Sequence, residues 1–548
     1  MKIVIIGAVA AGTSTAAKVR RNDEDAQITV YEMDEHISYS GCGLPYYIGD
    51  EVGDIGELIP RDAAFFKSKY NVDILTRHEV LSVDTANKEL TVRNLADGSV
   101  LADTYDALIL ATGASAVVPP ILGVGLEHVF ALRNPRHAIA IKTFMRNRQP
   151  KRAVIAGSGF VGLEMAENLV RAGLDVTVVE KLPHICLSLD ADMSGYLHQY
   201  LERKGVHIVT GRSVAEITGD SVVLDDGASL GAELVILAVG VRPSVKLAKE
   251  MGVELGAYGA IKVDDRMQTN IPHVYACGDC AQSWSALDGT ALYRPLGSTA
   301  NKMGRIAGDV VTGGDLRFRG VLGTSIFRVF GMAVAATGMG EAEARRKGYD
   351  VVLCHNSKPG RPAYYGGREM VIKAIADRKT ERLLGVQIVG HEGVDKRIDV
   401  FVTAMSFGAK VSDLFHLDLA YAPPFSTTKD PVMYTGMILD NAINRGRELI
   451  SPAELLEQGE GAFTILDTRS EEQYMAGHVE QARSMPHGAV RNHLEDIPQG
   501  KPVVTYCNKG VTGNAVQNIL LNKGFKKVYN LSGGYNQYRI QKKRSQEE

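Results

Sequence analysis

One unit of sequence occurs twice in this 548-residue chain and constrains its fold more than any other feature. Apolar residues 2–6 run into Gly7-Ala8-Val9-Ala10-Ala11-Gly12, then a helical stretch, then Ile28-Thr29-Val30-Tyr31-Glu32. Apolar residues 153–156 run into Gly157-Ser158-Gly159-Phe160-Val161-Gly162, a second helical stretch, and Val176-Thr177-Val178-Val179-Glu180. Each copy predicts strand, glycine turn, helix, strand and a closing acid, the pattern of a dinucleotide-binding βαβ unit. The first glycine makes the tight turn, and the last lets helix and strand pack closely. The helix N-terminus offers free N–H groups to a pyrophosphate. The acid accepts hydrogen bonds from a ribose diol. In the first copy Val9 stands at the middle glycine position, which brings a Cβ near the pyrophosphate; the second copy is intact.

Three further segments extend the pattern. Tyr105 to Gly113 reads as a strand ending in the small residues Thr112 and Gly113, and Leu234 to Pro243, with Gly240, is its counterpart. Thr269 to Asp279 reads as a buried strand that delivers Gly278 and Asp279 to a turn, where a carboxylate can hold a polyol hydroxyl.

Composition sets outer limits. The length allows about three to five domains. A net charge of −3 argues against a nucleic-acid protein. The N-terminus reads as a strand rather than a signal peptide. No apolar run is long enough to span a bilayer. These features lead us to expect a cytoplasmic protein with no membrane partner. Six widely spaced cysteines read as individual thiols in a reducing compartment. Cys277 and Cys280 form a C-x-x-C with no second pair, and we expect no metal site.

Together these residues resemble the two-dinucleotide-binding-domain flavoproteins, the FAD-dependent pyridine nucleotide–disulfide oxidoreductases, over about residues 1–440. The resemblance implies FAD on Gly7, Ala10, Ala11, Gly12, Glu32, Thr112, Gly113, Gly278 and Asp279. It implies a nicotinamide nucleotide on Gly157, Gly159, Phe160, Val161, Gly162, Glu180 and Gly240. A carboxylate at Glu180 suits the 2′-OH of NADH, while the adjacent Lys181 leaves NADPH possible. Residues 451–540 resemble a rhodanese domain. The expected fold class is α/β: two Rossmann-like dinucleotide-binding domains, an α+β dimerisation domain and a C-terminal α/β rhodanese domain. The expected boundaries are 1–115 and 270–320 for a discontinuous FAD-binding domain joined through 116–149, and 150–269 for the NAD(P)H-binding domain. The dimerisation domain is expected at 321–442, a linker at 443–452 and the rhodanese domain at 453–540. A homodimer is implied, each active site borrowing residues from the partner subunit. The charged tail from Gln541 to Glu548 is expected to lack order.

Cys42 lies in Ser38-Tyr39-Ser40-Gly41-Cys42-Gly43-Leu44-Pro45. Paired-cysteine members of the family carry two cysteines separated by four residues, but Ile37 and Tyr47 occupy the flanking positions here. Cys42 must therefore cycle through a mixed disulfide, a persulfide or a sulfenic acid. The segment resembles the single-cysteine branch, which includes coenzyme A-disulfide reductase, NADH oxidase and NADH peroxidase. That resemblance implies hydride transfer from NADH to FAD, then electrons to sulfur, and a Cys42 thiolate that attacks a disulfide or persulfide. It assigns Tyr421 a place near flavin and disulfide, and Lys429 a place near substrate. Tyr365 is a second candidate tyrosine, with Tyr364 competing for the role. Ser14 and Arg21 resemble substrate contacts, as does Ser38 in the cysteine segment. Lys18, Lys67 and Lys69 join Arg21 as candidates for the phosphates of coenzyme A. The family's asparagine just before the cysteine is Gly41 here.

Near the other end, Cys507-Asn508-Lys509-Gly510-Val511-Thr512 reads as a six-residue loop running into a helix. A rhodanese needs a cysteine at the mouth of such a loop, where converging N–H groups and a helix N-terminus favour anionic sulfur. Lys509 adds positive charge, while Asp467, Arg469 and His478 read as structural. The expected function is NADH-dependent reduction of coenzyme A persulfide, polysulfide or disulfide at Cys42, coupled to sulfur transfer at Cys507. The alternatives are an NADH oxidase or peroxidase using a Cys42 sulfenic acid, or a redox-sensing sulfur carrier.

Overall fold

The computed structural model describes residues 1–498 and 500–547. The chain divides into two compact units, Met1–Lys181 with Arg212–Val321, and Leu182–Gly211 with Leu322 onward.

The first unit holds two parallel sheets. In one, the strands run in the order Val274–Ala276, Ala107–Leu110, Lys2–Ile6, Gln27–Tyr31, Asp73–Leu75. Ile3 stands opposite Ala107 on one side and Ile28 on the other, which fixes the register. Parallel strands covered on both faces read as unbroken apolar runs, and every residue of Ala107–Leu110 is buried. The strand Val274–Ala276 enters this sheet from far along the chain, so the sheet is assembled from two separated stretches. The other sheet pairs Arg152–Ala156 with Asp175–Glu180 on one side and Leu234–Leu237 on the other, and Val129–Ala131 lies beyond Leu234–Leu237. Helix Ala10–Asn22 packs on helix Gly297–Val311 through small residues. A Cβ on Gly304 would meet Ala11 O at 2.4 Å, so only glycine allows this approach.

The second unit holds an antiparallel sheet and a parallel one. The antiparallel order is Ser325–Val329, Met332–Gly338, Leu383–Gly390, Glu369–Asp377, Val351–Pro359. All eight residues of Leu383–Gly390 are buried. The parallel order is Leu449–Ile450, Val528–Leu531, Val503–Tyr506, Thr464–Asp467, Arg483–Ser484. Two apolar cores flank it, one around Leu455, Ile465 and Leu531, the other around Leu466, Val516 and Leu520. A buried charge network joins these parts. Lys373, 1% exposed, pairs with Asp190, Asp192 and Glu341. His355 bridges Asp192 at 2.7 Å and Ser532 at 2.9 Å. Burial opposes charge on Asp192, but Lys373 and His355 more than offset it and hold the carboxyl well below the usual carboxylate range.

The tail corrects one expectation. Helix Gly534–Glu547 continues through the charged residues that composition had marked as lacking order. Tyr538, buried, anchors its first turns in the core, and Lys542 pairs with Glu480. Among the described residues, no helix is long and apolar enough to cross a membrane, and no cluster of His, Cys, Asp or Glu could hold a metal ion.

Candidate active sites

The two glycine turns form matching cradles. Gly7 has φ +108° and Gly157 φ +102°. A Cβ on Gly7 would meet Ala111 O at 2.2 Å, and one on Gly157 would meet Ala238 O at 2.5 Å. A Cβ on Gly12 would stand 1.8 Å from Gly7 O, and one on Gly162 2.2 Å from Gly157 O. A Cβ on Gly159 would meet nothing within 4 Å. The protein therefore demands glycine at the outer positions only, and Val9 costs the fold nothing at the middle one. Val9 and Gly159 precede helices Ala10–Asn22 and Phe160–Arg171, and neither end carries a side-chain cap. Backbone N–H groups of both first turns are thus open to an anion. Phe160 is half-buried and Val161 is exposed at the second of these turns. We expect Gly12→Val to lose FAD at least about tenfold, since overpacking against a carbonyl costs roughly 1–3 kcal/mol or more. Val9→Gly should leave flavin content unchanged. Flavin absorbance of the purified variants checks both.

Each cradle is closed by its acid. Glu32 accepts from Ala8 N–H at 2.8 Å and Asp34 N–H at 2.9 Å. Glu180 accepts from Ser158 N–H at 3.0 Å and from the Ser158 hydroxyl at 2.6 Å. Burial pushes the Glu32 carboxyl up, against the pull of those two N–H groups. The Thr112 hydroxyl donates to Ser244 O at 2.7 Å, Ser244 N–H donates to Gly113 O at 2.9 Å, and Val117 N–H donates to Gly240 O at 2.9 Å. The corresponding ends of the two buried strands are thus stitched together.

Asp279 answers whether FAD fits the first cradle. Its Oδ2 accepts from Arg133 Nη2 at 2.6 Å, while its Oδ1 is buried without a hydrogen-bond partner. A buried carboxylate oxygen left unmatched is costly unless a ligand hydroxyl meets it. Gly278 packs so closely on Ala11 that a Cβ would stand 2.7 Å from the Ala11 Cβ, which fixes Asp279 beside the cradle. These residues fit a flavin's polyol and pyrophosphate. Arg133 escaped the sequence reading because it lies in no motif.

Cys42 hangs from the same cradle. Ser38, with φ +49°, donates its N–H to Ala8 O at 2.9 Å. The 3₁₀ turn Gly41–Gly43 then runs into the short helix Leu44–Ile48. Gly41 faces open space, so its glycine is not a steric requirement. Cys42 is exposed, yet its surroundings partly desolvate the sulfur. Burial and the nearby Glu164 raise the thiol pKa, with Arg133 opposing and Asp279 adding slightly. Glu164 is itself held in place by a 3.0 Å bond from the Tyr46 hydroxyl. Iodoacetamide labelling of the flavin-free protein should therefore rise with pH and inflect above the usual thiol value of about 8.5. Glu164→Gln should move that inflection down; an inflection at or below the usual value contradicts this electrostatic picture. Cys277 and Cys280 are fully buried, and burial pushes Cys277 up to about 12, so both are inert packing residues.

The candidate coenzyme A residues divide into two sets. Ser14, Lys18 and Arg21 share one stripe of helix Ala10–Asn22. Ser14 donates to Asn301 Oδ1 at 2.5 Å, and Lys18 pairs with Asp309 at 2.9 Å. Lys67 pairs with Asp73 at 2.8 Å. Arg21 instead lies over the Tyr70 ring at 5.6 Å, and Lys69 over Phe65 at 5.4 Å and Tyr70 at 5.8 Å. Arg61, which the sequence reading missed, covers the Phe65 ring at 5.6 Å. Arg21, Arg61 and Lys69 form a basic aromatic patch, while Lys18 and Lys67 are matched by carboxylates. Tyr421, Tyr365 and Lys429 belong to the second unit and are all exposed; Tyr365 leans on Tyr364 with ring centroids 5.3 Å apart.

The second thiol sits at a different kind of turn. Strand Val503–Tyr506 ends at Cys507, and helix Val511–Asn522 begins four residues later with Gly510 as its cap. Val511 and Thr512 therefore belong to the helix's first turn. Cys507 is buried, and its carbonyl accepts Tyr535 N–H at 2.8 Å. Asn508 O accepts Asn536 N–H at 3.1 Å, and Asn530 Nδ2 donates to Gly510 O at 3.0 Å. A Cβ on Gly534 would stand 2.1 Å from Cys507 O, so this support requires glycine. Asp467 is fully buried and holds Arg469 and the Tyr506 hydroxyl, which makes the pair structural. Arg469 also donates to Asn508 Oδ1 at 3.2 Å, bracing the loop. His478 stacks on Tyr474 at 4.0 Å and is structural too. Lys509 forms an ion pair with Glu369 of the antiparallel sheet, a partner no local motif could reveal.

Three family descriptions match along the chain: pyridine nucleotide-disulphide oxidoreductase over residues 1–300, its dimerisation domain over 324–431, and a rhodanese-like domain over 451–541. The chain is 37% identical over 443 residues to the NAD(P)H coenzyme A polysulfide/persulfide reductase of Pyrococcus horikoshii, covering 80% of this chain and 98% of that relative. Among solved structures, the reduced CoADR-RHD of Bacillus anthracis superposes with a TM-score of 0.97 at 34% identity, covering 99% of this chain and 98% of that one. An NAD-dependent persulfide reductase from A. fulgidus superposes with a TM-score of 0.91 at 36% identity, covering 98% and 100%.

Proposed function

The chain belongs to the pyridine nucleotide-disulphide oxidoreductases, and on that premise we propose that it is an NAD(P)H-dependent flavoprotein that reduces coenzyme A persulfide and disulfide at Cys42, coupled to sulfur transfer at Cys507. The observation that carries this reading is the Cys42 loop, hung from the first cradle through Ser38 and Ala8 and holding no second cysteine. A thiol so placed meets an external sulfur substrate on one side and a redox cofactor on the other.

Bound FAD supplies the two-electron relay between nicotinamide and sulfur. Glu32 and Asp279 would hold its hydroxyls, and the first turn of helix Ala10–Asn22 would meet its pyrophosphate. Glu180 orients the ribose of the nicotinamide nucleotide, and its carboxylate favours NADH. The Cys42 thiolate attacks the inner sulfur of coenzyme A persulfide. The S–S bond of the persulfide breaks, hydrosulfide leaves, and a Cys42–coenzyme A mixed disulfide forms. Two electrons drawn from NADH split that disulfide into two thiolates. With coenzyme A disulfide the leaving group is coenzyme A thiolate. The Tyr421 hydroxyl protonates the leaving sulfur, with Tyr365 behind it and Lys429 on the substrate. In this reading these three come from the partner subunit of a homodimer, and the reaction runs in the cytoplasm, where thiols stay reduced.

Steady-state NADH consumption separates this reading from its rivals. Turnover that requires coenzyme A persulfide or disulfide supports it. Equal turnover with oxygen alone would make the protein an oxidase, and no turnover with any acceptor would make it a carrier.

A further inference from the structure

The mouth of Cys507 is not built by the rhodanese-like domain alone. Strands Val351–Pro359 and Glu369–Asp377 pair antiparallel, with Lys358 opposite Met370 and Pro359 opposite Glu369. The ends of these strands reach the Cys507 loop, where Glu369 pairs with Lys509. Lys358 is half-buried, and its ammonium lies 4.1 Å from the Tyr434 ring centroid, which holds the cation in place. Burial and then Lys509 lower the pKa of Lys358, Lys429 acts in the same sense, and Glu369 and Cys507 oppose them. The Lys358 ammonium is thus within electrostatic reach of both Cys507 and Lys509. Two lysines against one carboxylate leave a positive surplus around a sulfur nucleophile.

We propose that Lys358, with Lys509, forms a binding site for the anionic part of the thiol that takes sulfane sulfur from Cys507, so that the site selects a phosphate-bearing thiol over a neutral one. The proposal rests on the functional reading above for the identity of that thiol as coenzyme A. Thiosulfate loads the site: the Cys507 thiolate attacks its outer sulfur, the S–S bond of thiosulfate breaks, and sulfite leaves. The acceptor thiolate then attacks the outer sulfur of the Cys507 persulfide. A new S–S bond forms on the acceptor, the bond to Cys507 breaks, and Cys507 departs as thiolate with no net change of electrons. Lys358 takes no part in these bonds; it positions the acceptor.

The test uses the full-length holoenzyme with thiosulfate as donor and either coenzyme A or pantetheine, which lacks the phosphates, as acceptor. The wild type should favour coenzyme A at least about tenfold in kcat/KM at low salt, with the gap narrowing as salt screens the lysines. Lys358→Gln should cost about tenfold with coenzyme A, mostly in KM, and less than about twofold with pantetheine. Lys358→Arg should restore the preference. Equal use of both acceptors by the wild type overturns the proposal, as does an equal loss with both acceptors or an unchanged preference in Lys358→Gln. Coenzyme A disulfide reduction measured on the same proteins reports on Cys42 separately, so its absence would refute the reductase reading and leave the acceptor preference as measured.

Discussion

Cys42→Ser abolishes NADH-driven reduction of coenzyme A persulfide and disulfide, with turnover falling roughly 10⁴-fold or more, as removal of a covalent nucleophile does. The serine hydroxyl is isosteric but cannot form or release a sulfur–sulfur bond under these conditions. The variant keeps its flavin, because Ser38 N–H and the Ala8 carbonyl, not the thiol, tie the loop to the cradle. Reduction of the bound flavin by NADH in a stopped-flow experiment should stay within about twofold of wild type, since hydride arrives before sulfur enters the reaction. Sulfur transfer from thiosulfate to dithiothreitol should also persist, because that chemistry belongs to Cys507. Surviving disulfide reduction in the variant would show that Cys42 is not the sulfur nucleophile.

Cys507→Ser has the complementary effect. Transfer from thiosulfate should fall roughly 10⁴-fold or more, and NADH consumption driven by sulfane sulfur delivered through that route should stop with it. Reduction of coenzyme A disulfide should stay within about twofold of wild type, because it needs only Cys42. The loop should hold its shape in the variant. Its supports are the Cys507 and Asn508 carbonyls, the Asn530 amide and Arg469, none of which involves the thiol. Unchanged NADH consumption with thiosulfate and coenzyme A in Cys507→Ser would sink the coupling of the two sites, while equal loss of disulfide reduction would place Cys507 in the reductase step itself.

The parts legible in the sequence are those in which residue identity alone carries the constraint. Gly7 and Gly12 are fixed by carbonyls 1.8–2.2 Å from where a Cβ would sit, and Gly157 and Gly162 repeat the arrangement. That is why two fingerprints sufficed to place two parallel sheets and their closing acids. The family resemblance read from those motifs and the rhodanese resemblance of the last ninety or so residues both agree with the family matches. Cys507 was legible for the same reason, since strand, cysteine, short loop and helix follow directly in the chain.

What escaped was assembled from distant segments. Arg133 reaches Asp279 across 146 positions, and Lys509 meets Glu369 across 140. Neither Arg133 nor Glu369 carries a local spacing signal, and a charged residue at the end of a strand reads as a solvated face. Arg61 could have been found, because Arg61, Phe65 and Lys69 recur at helical spacing, but basic residues between aromatics are common on surfaces. The tail misled for the opposite reason. Its composition favours solvent, yet Tyr538 anchors the helix that runs into it. Val9 departs from the glycine fingerprint, and the open space at the matching Gly159 explains why the fold tolerates it.

The most direct test is mass spectrometry of the Cys42 peptide under non-reducing conditions, after the flavin-loaded protein has met coenzyme A persulfide or disulfide without NADH. Coenzyme A should be attached to Cys42 in a mixed disulfide that NADH then releases. A Cys42 peptide carrying only oxygen, or coenzyme A found on another cysteine, would contradict it.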